Sequence, residues 1–442
     1  MSNKKVKIAV TVLVALVIAL VSFGMGFLVE RCSSNRTVAS YEWAIKTIKD
    51  NYYFCDPDET FTETSLSAIA EKYLDRYSEY YTKEEYAEVM KSNQGSKSGI
   101  GISYQFKKDE GVYISKVVGN SPAYKSGLQA GDWIRSGSVD GKEVTFTSSE
   151  NFSDFIAPIK TGEKFSLTSV DGETYSMAKA NYTASYTSYS TSTEGWTFSD
   201  SLNGGLELCL DIKLKMPFLP DGCAYIRLDQ FYGSATDEFF TLIEKFNASN
   251  CTSLILDLRS NGGGYVSVMQ NIAGAFADGK STLAMLSRDK KGREEKFYCK
   301  KVTDKNKRVD KSVKVFVLAN AGTASASEAL IGAMHCYGAL PYENIFLSQY
   351  SDGYVNWLYP TNEGAKNAQT YGKGIMQTPF TNYRTGEVLK LTTAKIFWPD
   401  KTTSIHDRGV TLEDGCTAVP TEWEWTKGDK ELQSAVEIIK SR

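Results

Sequence analysis

Two short, largely apolar runs constrain this chain more than any other feature: Leu254-Ile255-Leu256-Asp257-Leu258, and Val313 to Ala319. Each ends in a polar loop containing glycine, and each loop leads into apolar residues at helical spacing. Val266, Met269, Ile272, Ala273 and Phe276 follow the first; Leu330, Ile331 and Met334 follow the second. Runs that stay apolar instead of alternating belong to strands buried on both faces of a parallel or mixed sheet, with helices packed against it. In such sheets the working residues gather in loops at the carboxyl ends of strands. Residues 259–264 and 320–325 are therefore the first places to look for chemistry.

The rest of the chain reads differently. From 41 to about 90, Trp43, Ile45, Ile48, Tyr52, Leu66, Ile69 and Tyr73 recur at three and four, which predicts a small helical region. Between 98 and 186, short alternating stretches with turns at Asp140-Gly141 and Asp171-Gly172 predict a compact β module, interrupted by one helix near 149–159. Residues 183–205 are rich in Ser, Thr, Tyr and Gly and read as a linker or exposed hairpin, with a domain boundary there.

At the amino end, Lys4, Lys5 and Lys7 precede an uncharged apolar run over residues 8–29. At about 1.5 Å per residue a helix of that length spans a bilayer core. The flanking lysines predict a cytoplasmic amino terminus and everything beyond Glu30 outside, in a single-pass protein of the cell membrane. A cleaved signal peptide, which would leave a secreted protein, is the rival reading. Against it, the run is long and the nearest small-x-small site, Val38-Ala39-Ser40, lies late. Cys32 lacks a lipobox before it. The eight cysteines are sparse and without framework spacing; Cys209 and Cys223 flank a turn and either pair or stay free and buried.

With 442 residues, a formal net charge of −3 and a pI near 5.8, nothing draws the chain to nucleic acid. His335 and His406 are its two histidines, and neither belongs to an HExxH pair, which argues against a zinc enzyme; no metal or cofactor is expected.

The loop Asn320-Ala321-Gly322-Thr323-Ala324-Ser325-Ala326-Ser327-Glu328 runs from a buried strand into a helix. A serine there sits at the positive end of the helix dipole, beside free N–H groups able to bind an oxyanion. The plain reading is a Ser325-x-x-Glu328 capping box. In the first loop, Gly262-Gly263-Gly264 allows positive φ and close substrate approach; a phosphate cradle is the competing thought, but the P-loop ending is absent. Further on, Tyr371-Gly372-Lys373-Gly374-Ile375-Met376-Gln377 brackets a lysine with glycines before apolar residues. A desolvated Lys373 could take a proton from Ser325, and Gln377 could orient the amine. The alternative is a turn with an exposed lysine.

Taken in order, the Asp-Leu-Arg-x-Asn-x-Gly-Gly loop, the Ser-Ala-Ser-Glu box and the Gly-Lys-Gly-x-x-Gln segment resemble the carboxyl-terminal processing proteases. Further similarity lies in Leu74-Asp75-Arg76-Tyr77-Ser78-Glu79-Tyr80, in Ser98 to Ile102, in the stretch from Ser121-Pro122-Ala123 to Gly131-Asp132, in Tyr225 to Leu228 and in Leu391 to Lys395. The likeness covers residues 41 to 415. Together with the apolar run at the amino end, it implies a multidomain α+β chain: the membrane helix (1–30) read from that run, then a helical region (31–97), a PDZ-like module (98–186) and an α/β protease core of the crotonase/Clp-like type (187–442). It also implies Ser325 as nucleophile, Lys373 as general base and Gln377 as its partner. Ser327 would be structural, and the N–H groups of Gly263 and Ala326 would form the oxyanion hole. Gly99, Ile100, Gly101 and Ile102 would hold a substrate's C-terminal carboxylate. Substrates would be proteins or peptides with free C-termini, alongside an activating partner or a homo-oligomer.

The chain departs from the family in three places. Ser325 and Lys373 are 48 residues apart, with an added segment around 342–370; Arg76 stands where the family has proline; and the Gly-Ile-x-Pro-Asp ending appears only as Gly409-Val410-Thr411-Leu412-Glu413-Asp414. A Ser-His-Asp triad would need His406, since His335 lies on the nucleophile's own helical stretch. The Ser287-x-x-Lys290 and Lys160-Thr161-Gly162 matches to penicillin-recognising enzymes come in the wrong order. The alternative from another class is a membrane-tethered, catalytically silent peptide-binding or scaffolding protein.

Overall fold

The computed structural model describes residues 37–56, 58–129, 131–192, 197–200, 205–208, 218–350, 366–421 and 429–442. The apolar run 8–29, Cys32, Cys209 and residues 351–365 of the added segment lie outside them. Among the described residues no helix is long and apolar enough to cross a membrane. The described residues form two compact units, one built from those up to Glu88 with Gln377–Ala394, the other from the rest of the described residues.

In the first unit a helix over 37–51 and the helix Leu66–Tyr73 bury Ala44, Ile48, Tyr52 and Ile69 against Leu389 and Leu391. The strand Glu79–Tyr81 pairs antiparallel with residues 388–390. The helical region expected over 31–97 is thus completed by a segment some three hundred residues further along. The Leu74 to Tyr80 signature is its seam. The Asp75 N–H donates to the Tyr52 hydroxyl at 2.7 Å, and the Thr392 N–H donates to the buried Ser78 hydroxyl at 2.8 Å. Arg76 turns outward over the Tyr77 ring, so the loss of proline there disturbs no buried contact.

The second unit begins with the β module. Its antiparallel sheet runs Ile102–Lys107, Gly111–Val117, Trp133–Val139, Lys164–Ser169, Thr174–Ala178, with Lys142–Thr145 attached to the third strand. Asp140 and Gly141 have φ of 50° and 74°, the pair of positive values that a tight hairpin turn needs. Val112, Ile114, Leu128, Ile134, Phe152 and Leu167 fill the core. A ribbon of Ser96–Gly99 with Ala180–Thr183 ties the module's entry to its exit.

An eight-stranded sheet follows, in the order Gly205–Leu208, Thr197–Asp200, Thr187–Thr191, Cys223–Leu228, Ser253–Asp257, Lys314–Ala319, Ile345–Tyr350, Thr417–Thr421. From Cys223 onward its neighbours are parallel. Leu254, Leu256, Val315 and Val317 point to a face covered by the helices Ala235–Ala248, Val266–Ala273 and Ala326–Cys336. Ile255, Phe316 and Leu318 point to the other face, under the last helix Lys430–Lys440. The two apolar runs are therefore strands buried on both sides.

Two expectations change. The Ser/Thr/Tyr-rich linker is in part a buried strand: Thr187–Thr191 lies inside the sheet, with Tyr189 and Ser190 almost wholly enclosed. Thr and Tyr favour strands, and the Glu238 carboxylate accepts from the Tyr186 and Thr187 N–H groups and from three hydroxyls, which makes burying this polar stretch tolerable. The added segment also starts as core, since Ile345–Tyr350 is a sheet strand. Cys223 is free and buried, its thiol pushed up to about 11 by desolvation.

Leu256 is fully enclosed at the centre of the parallel sheet. Leu256→Ala is expected to lower unfolding free energy by about 2–5 kcal/mol in urea titrations; a loss under about 1 kcal/mol would show that this strand is not core.

Candidate active site

The strand Lys314–Ala319 ends and the helix Ala326–Cys336 begins within six residues, and the turn is sharp. Ser325 has φ 58° and ψ −114°, a conformation that side chains rarely adopt and that persists only when the surroundings enforce it. Its neighbours Ala324, Ala326, Ser327 and Glu328 are buried, while Ser325 is half-buried. A strained strand-to-helix elbow that thrusts one hydroxyl outward is what a nucleophile needs.

Several bonds enforce the elbow. The Thr323 hydroxyl donates to the Leu258 carbonyl at 2.8 Å. The Ala324 N–H and the Ser327 hydroxyl both donate to the Asn261 carbonyl, at 3.0 and 2.9 Å. Ser327 is therefore a strut between the two loops.

The glycine loop lies against this elbow. Gly263, at φ 96°, leaves no room for a side chain: a Cβ there would stand 2.9 Å from both the Ala326 nitrogen and the Ser325 Cβ. Its carbonyl accepts the Phe231 N–H at 3.0 Å, and its own N–H donates to the Asn261 Oδ1 at 2.9 Å. Gly263 and Ala326 thus flank Ser325, with the Gly263 amide held by a side chain two residues back.

Lys373 is half-buried, between glycines that let the segment 405–409 press on its backbone. A Cβ on Gly374 would meet the His406 nitrogen at 2.6 Å, and the Asp407 N–H donates to the Gly372 carbonyl at 2.9 Å. Gln377, on the strand Ile375–Thr381, donates its amide to the Thr392 hydroxyl at 3.1 Å. His335 is a packing residue, bonded to the Leu340 carbonyl and stacked on Tyr342.

What joins Ser325 to Lys373 is Glu328, which the sequence offered only as a capping residue. Its Oε2 accepts the Ser325 N–H at 2.8 Å and the Lys373 N–H at 3.0 Å; its Oε1 accepts the Gly372 N–H at 2.8 Å and the Thr370 hydroxyl at 2.5 Å. One oxygen thus keeps the two backbone nitrogens no farther apart than the sum of those two lengths. Burial pushes the Glu328 carboxyl up to about 7, against the pull of these four donors.

In the β module, Gly99 and Gly101 have φ of 128° and 81°. The Ile100 carbonyl accepts the Ala123 N–H at 2.9 Å and the Gly101 carbonyl accepts the Val118 N–H at 2.8 Å, so both carbonyls turn into the module. A Cβ on Gly101 would sit 2.2 Å from the Ser121 Cβ. Ile102 then opens the strand at the end of the sheet order, placed for an added strand.

Comparison with known proteins agrees with these two assemblies. Residues 222–342 match the model of peptidase family S41, and residues 88–168 match that of the PDZ domain. A probable CtpA-like serine protease of Staphylococcus haemolyticus is 25% identical over 449 residues, covering 97% of this chain and 78% of the relative. Similar proteins of Staphylococcus saprophyticus and Staphylococcus epidermidis are 26% and 25% identical, and this chain spans 70% and 63% of their lengths. The crystal structure of a putative S41 protease from Bacteroides fragilis superposes with a TM-score of 0.57 at 17% identity, over 90% of this chain and 97% of that one, which shows a shared fold. The chain is a serine-type peptidase, a hydrolase. It carries regions that match the S41 peptidase and PDZ domain models, and the relatives it resembles are probable CtpA-like serine proteases.

Because Glu328 is raised above its unfolded value of 4.5, its contribution to stability is complete below that pH and is lost as pH rises through about 7, roughly 3 kcal/mol in all. Glu328→Gln is expected to flatten this pH dependence in urea titrations from pH 4 to 8. It also presents a donor to N–H groups, so kcat is expected to fall about a hundredfold with little change in KM. A slope equal to the unaltered chain's would show that Glu328 does not titrate there.

Proposed function

We propose that this chain is a membrane-anchored, extracytoplasmic endopeptidase that takes hold of protein C-termini with its PDZ domain and cleaves through an acyl-enzyme on Ser325. The observation that carries the reading is the Glu328 carboxylate, which seats the backbones of Ser325 and Lys373 side by side. The Lys373 amine takes the proton of the Ser325 hydroxyl as its oxygen attacks the substrate carbonyl. Negative charge developing on that oxygen falls beside the Ala326 N–H, the first amide of a helix; the Gly263 N–H, which the structure gives to the Asn261 Oδ1 at 2.9 Å, has to turn from that partner to serve as the second donor. The Lys373 ammonium returns the proton to the leaving amine, and a water molecule then releases the acyl group. Gln377 is assigned the orientation of the Lys373 amine.

The substrate end is assigned to Gly99, Ile100, Gly101 and Ile102, where the inward carbonyls of Ile100 and Gly101 leave the opposite faces of their peptide groups toward an incoming carboxylate. Anchoring is assigned to residues 8–29 by their length and the lysines before them. Deletion of that run is expected to move the protein from the membrane fraction to the supernatant; continued sedimentation would refute this anchor.

Ser325→Ala and Lys373→Ala are each expected to abolish cleavage of an unstructured protein while leaving the thermal midpoint within a few degrees. An unaltered, folded chain that cleaves nothing, yet binds peptides, would favour the silent-scaffold alternative. Gly101→Ala is expected to raise KM about tenfold for a peptide with a free C-terminus and to leave kcat alone. Amidating the peptide's C-terminus should do the same to the unaltered chain and add nothing in the variant; additive losses would place the carboxylate elsewhere.

A further inference from the structure

Arg259 belongs to the glycine loop, yet its guanidinium is held largely from the far end of the chain. Its Nε and Nη2 donate to Asp257, at 3.0 and 2.6 Å; its Nη1 and Nη2 donate to the two oxygens of Asp429, at 2.9 and 2.5 Å; and its Nη1 stands 3.3 Å from Glu431. Asp257 is fully enclosed and Arg259 is 7% exposed. A planar guanidinium forked between two carboxylates has almost no rotational freedom.

Glu431 reaches the second loop as well. It accepts from the Ser348 hydroxyl and, at 3.1 Å, from the Tyr350 hydroxyl. The Asn320 Nδ2 donates to that same Tyr350 oxygen at 3.3 Å, and the Asn320 Oδ1 accepts the Ser260 N–H at 2.8 Å and the Gly322 N–H at 3.0 Å. Ser260, at φ 58°, lies at the positive φ that residues other than glycine adopt uncommonly, and the bond from its N–H to Asn320 helps to hold it there. The next residue, Asn261, carries the Gly263 N–H on its side chain and Ala324 and Ser327 on its carbonyl. Displacement of Arg259 would therefore reach the amide beside Ser325 within four residues.

The last helix is firmly seated. Leu432, Ala435, Val436 and Ile439 pack with Tyr225, Ile255, Phe316 and Leu318 on the sheet, and Asp429 also caps the helix by accepting the Leu432 N–H at 2.9 Å. The helix, with Asp429 and Glu431, lies beyond residue 342, where the match to the peptidase family model ends.

We infer that Asp429 and Glu431 are positioning residues for catalysis: from the C-terminal helix they hold Arg259 and, through Tyr350, Asn320, and so fix the glycine loop against the nucleophile elbow. The inference rests on the peptidase reading above. Loss of one carboxylate leaves Arg259 still bound to Asp257, so the fold survives while the loop loses its fixed register.

The test measures kcat, KM and thermal midpoint on the full chain with an unstructured peptide ending in a free carboxylate. Asp429→Asn keeps a good helix cap and removes the charge. Glu431→Gln keeps the volume, and Tyr350→Phe cuts the link to Asn320 while leaving the ion pairs intact. Each is expected to lower kcat about tenfold with KM within about twofold. A fall in thermal midpoint with kcat per folded molecule unchanged in Glu431→Gln and Tyr350→Phe would overturn the inference and leave a structural brace. Ser325→Ala sets the zero. An unaltered chain no faster than Ser325→Ala would sink the peptidase reading and this with it, whereas an active chain indifferent to all three substitutions would sink this alone.

Discussion

The site depends on one buried carboxylate. Glu328 collects four donors from two segments that the chain separates by more than forty residues, and two of those donors are the backbone amides of Ser325 and Lys373. Fixing two groups in reacting geometry before substrate arrives removes much of the entropic part of a barrier. Hydrogen bonds to a charged acceptor in a dry site are among the strong ones available for this. The arrangement also costs stability, since burial pushes this acid up to about 7 and the charged form is the one that accepts all four bonds. Activity and stability therefore pull Glu328 in opposite directions near neutral pH.

That clamp explains how the added segment is tolerated. Residues 351–365 stand between the strand Ile345–Tyr350 and Thr370, and any change in their length would ordinarily displace Lys373. Thr370, Gly372 and Lys373 are instead tied directly to the nucleophile helix, and Tyr371 donates its N–H to the Thr323 carbonyl at 2.9 Å. The base segment takes its position from Glu328 and Thr323, not from the chain that leads to it. Loop length is cheap when both ends are pinned.

Where a pattern was local, it could be read directly. Leu254, Leu256, Val315 and Val317 face one side and Ile255, Phe316 and Leu318 the other, as continuous apolar runs require, and the two loops named from those runs hold Ser325 and Gly263. Asp140-Gly141 sits in the tight turn its residues favour. Where a role depends on distant partners, the pattern was silent or misleading. The polar stretch at 187–191 reads as a linker because nothing near it announces Glu238, the acid that makes its burial tolerable. The first helices show apolar faces but not Leu389 and Leu391, which complete their core. Glu328 looks like a capping residue, and is one; its three bonds to residues 370–373 have no signature in spacing.

The same contrast separates the two kinds of buried charge. Burial alone would raise Asp257, but Arg259 and Arg227 outweigh it and leave the carboxyl at about 2, charged at any working pH. Glu328 is held by neutral donors and titrates near neutrality. Under the proposed mechanism the Asp257 charge beside the glycine loop is therefore permanent, while the charge that seats the dyad depends on pH. Protonating Glu328 turns one acceptor oxygen into a donor facing N–H groups, which loosens Ser325 and Lys373 while Arg259 and Asp257 stay paired. Since protonation also relieves the cost of the buried charge, acid would unseat the nucleophile and base without unfolding the sheet that carries both.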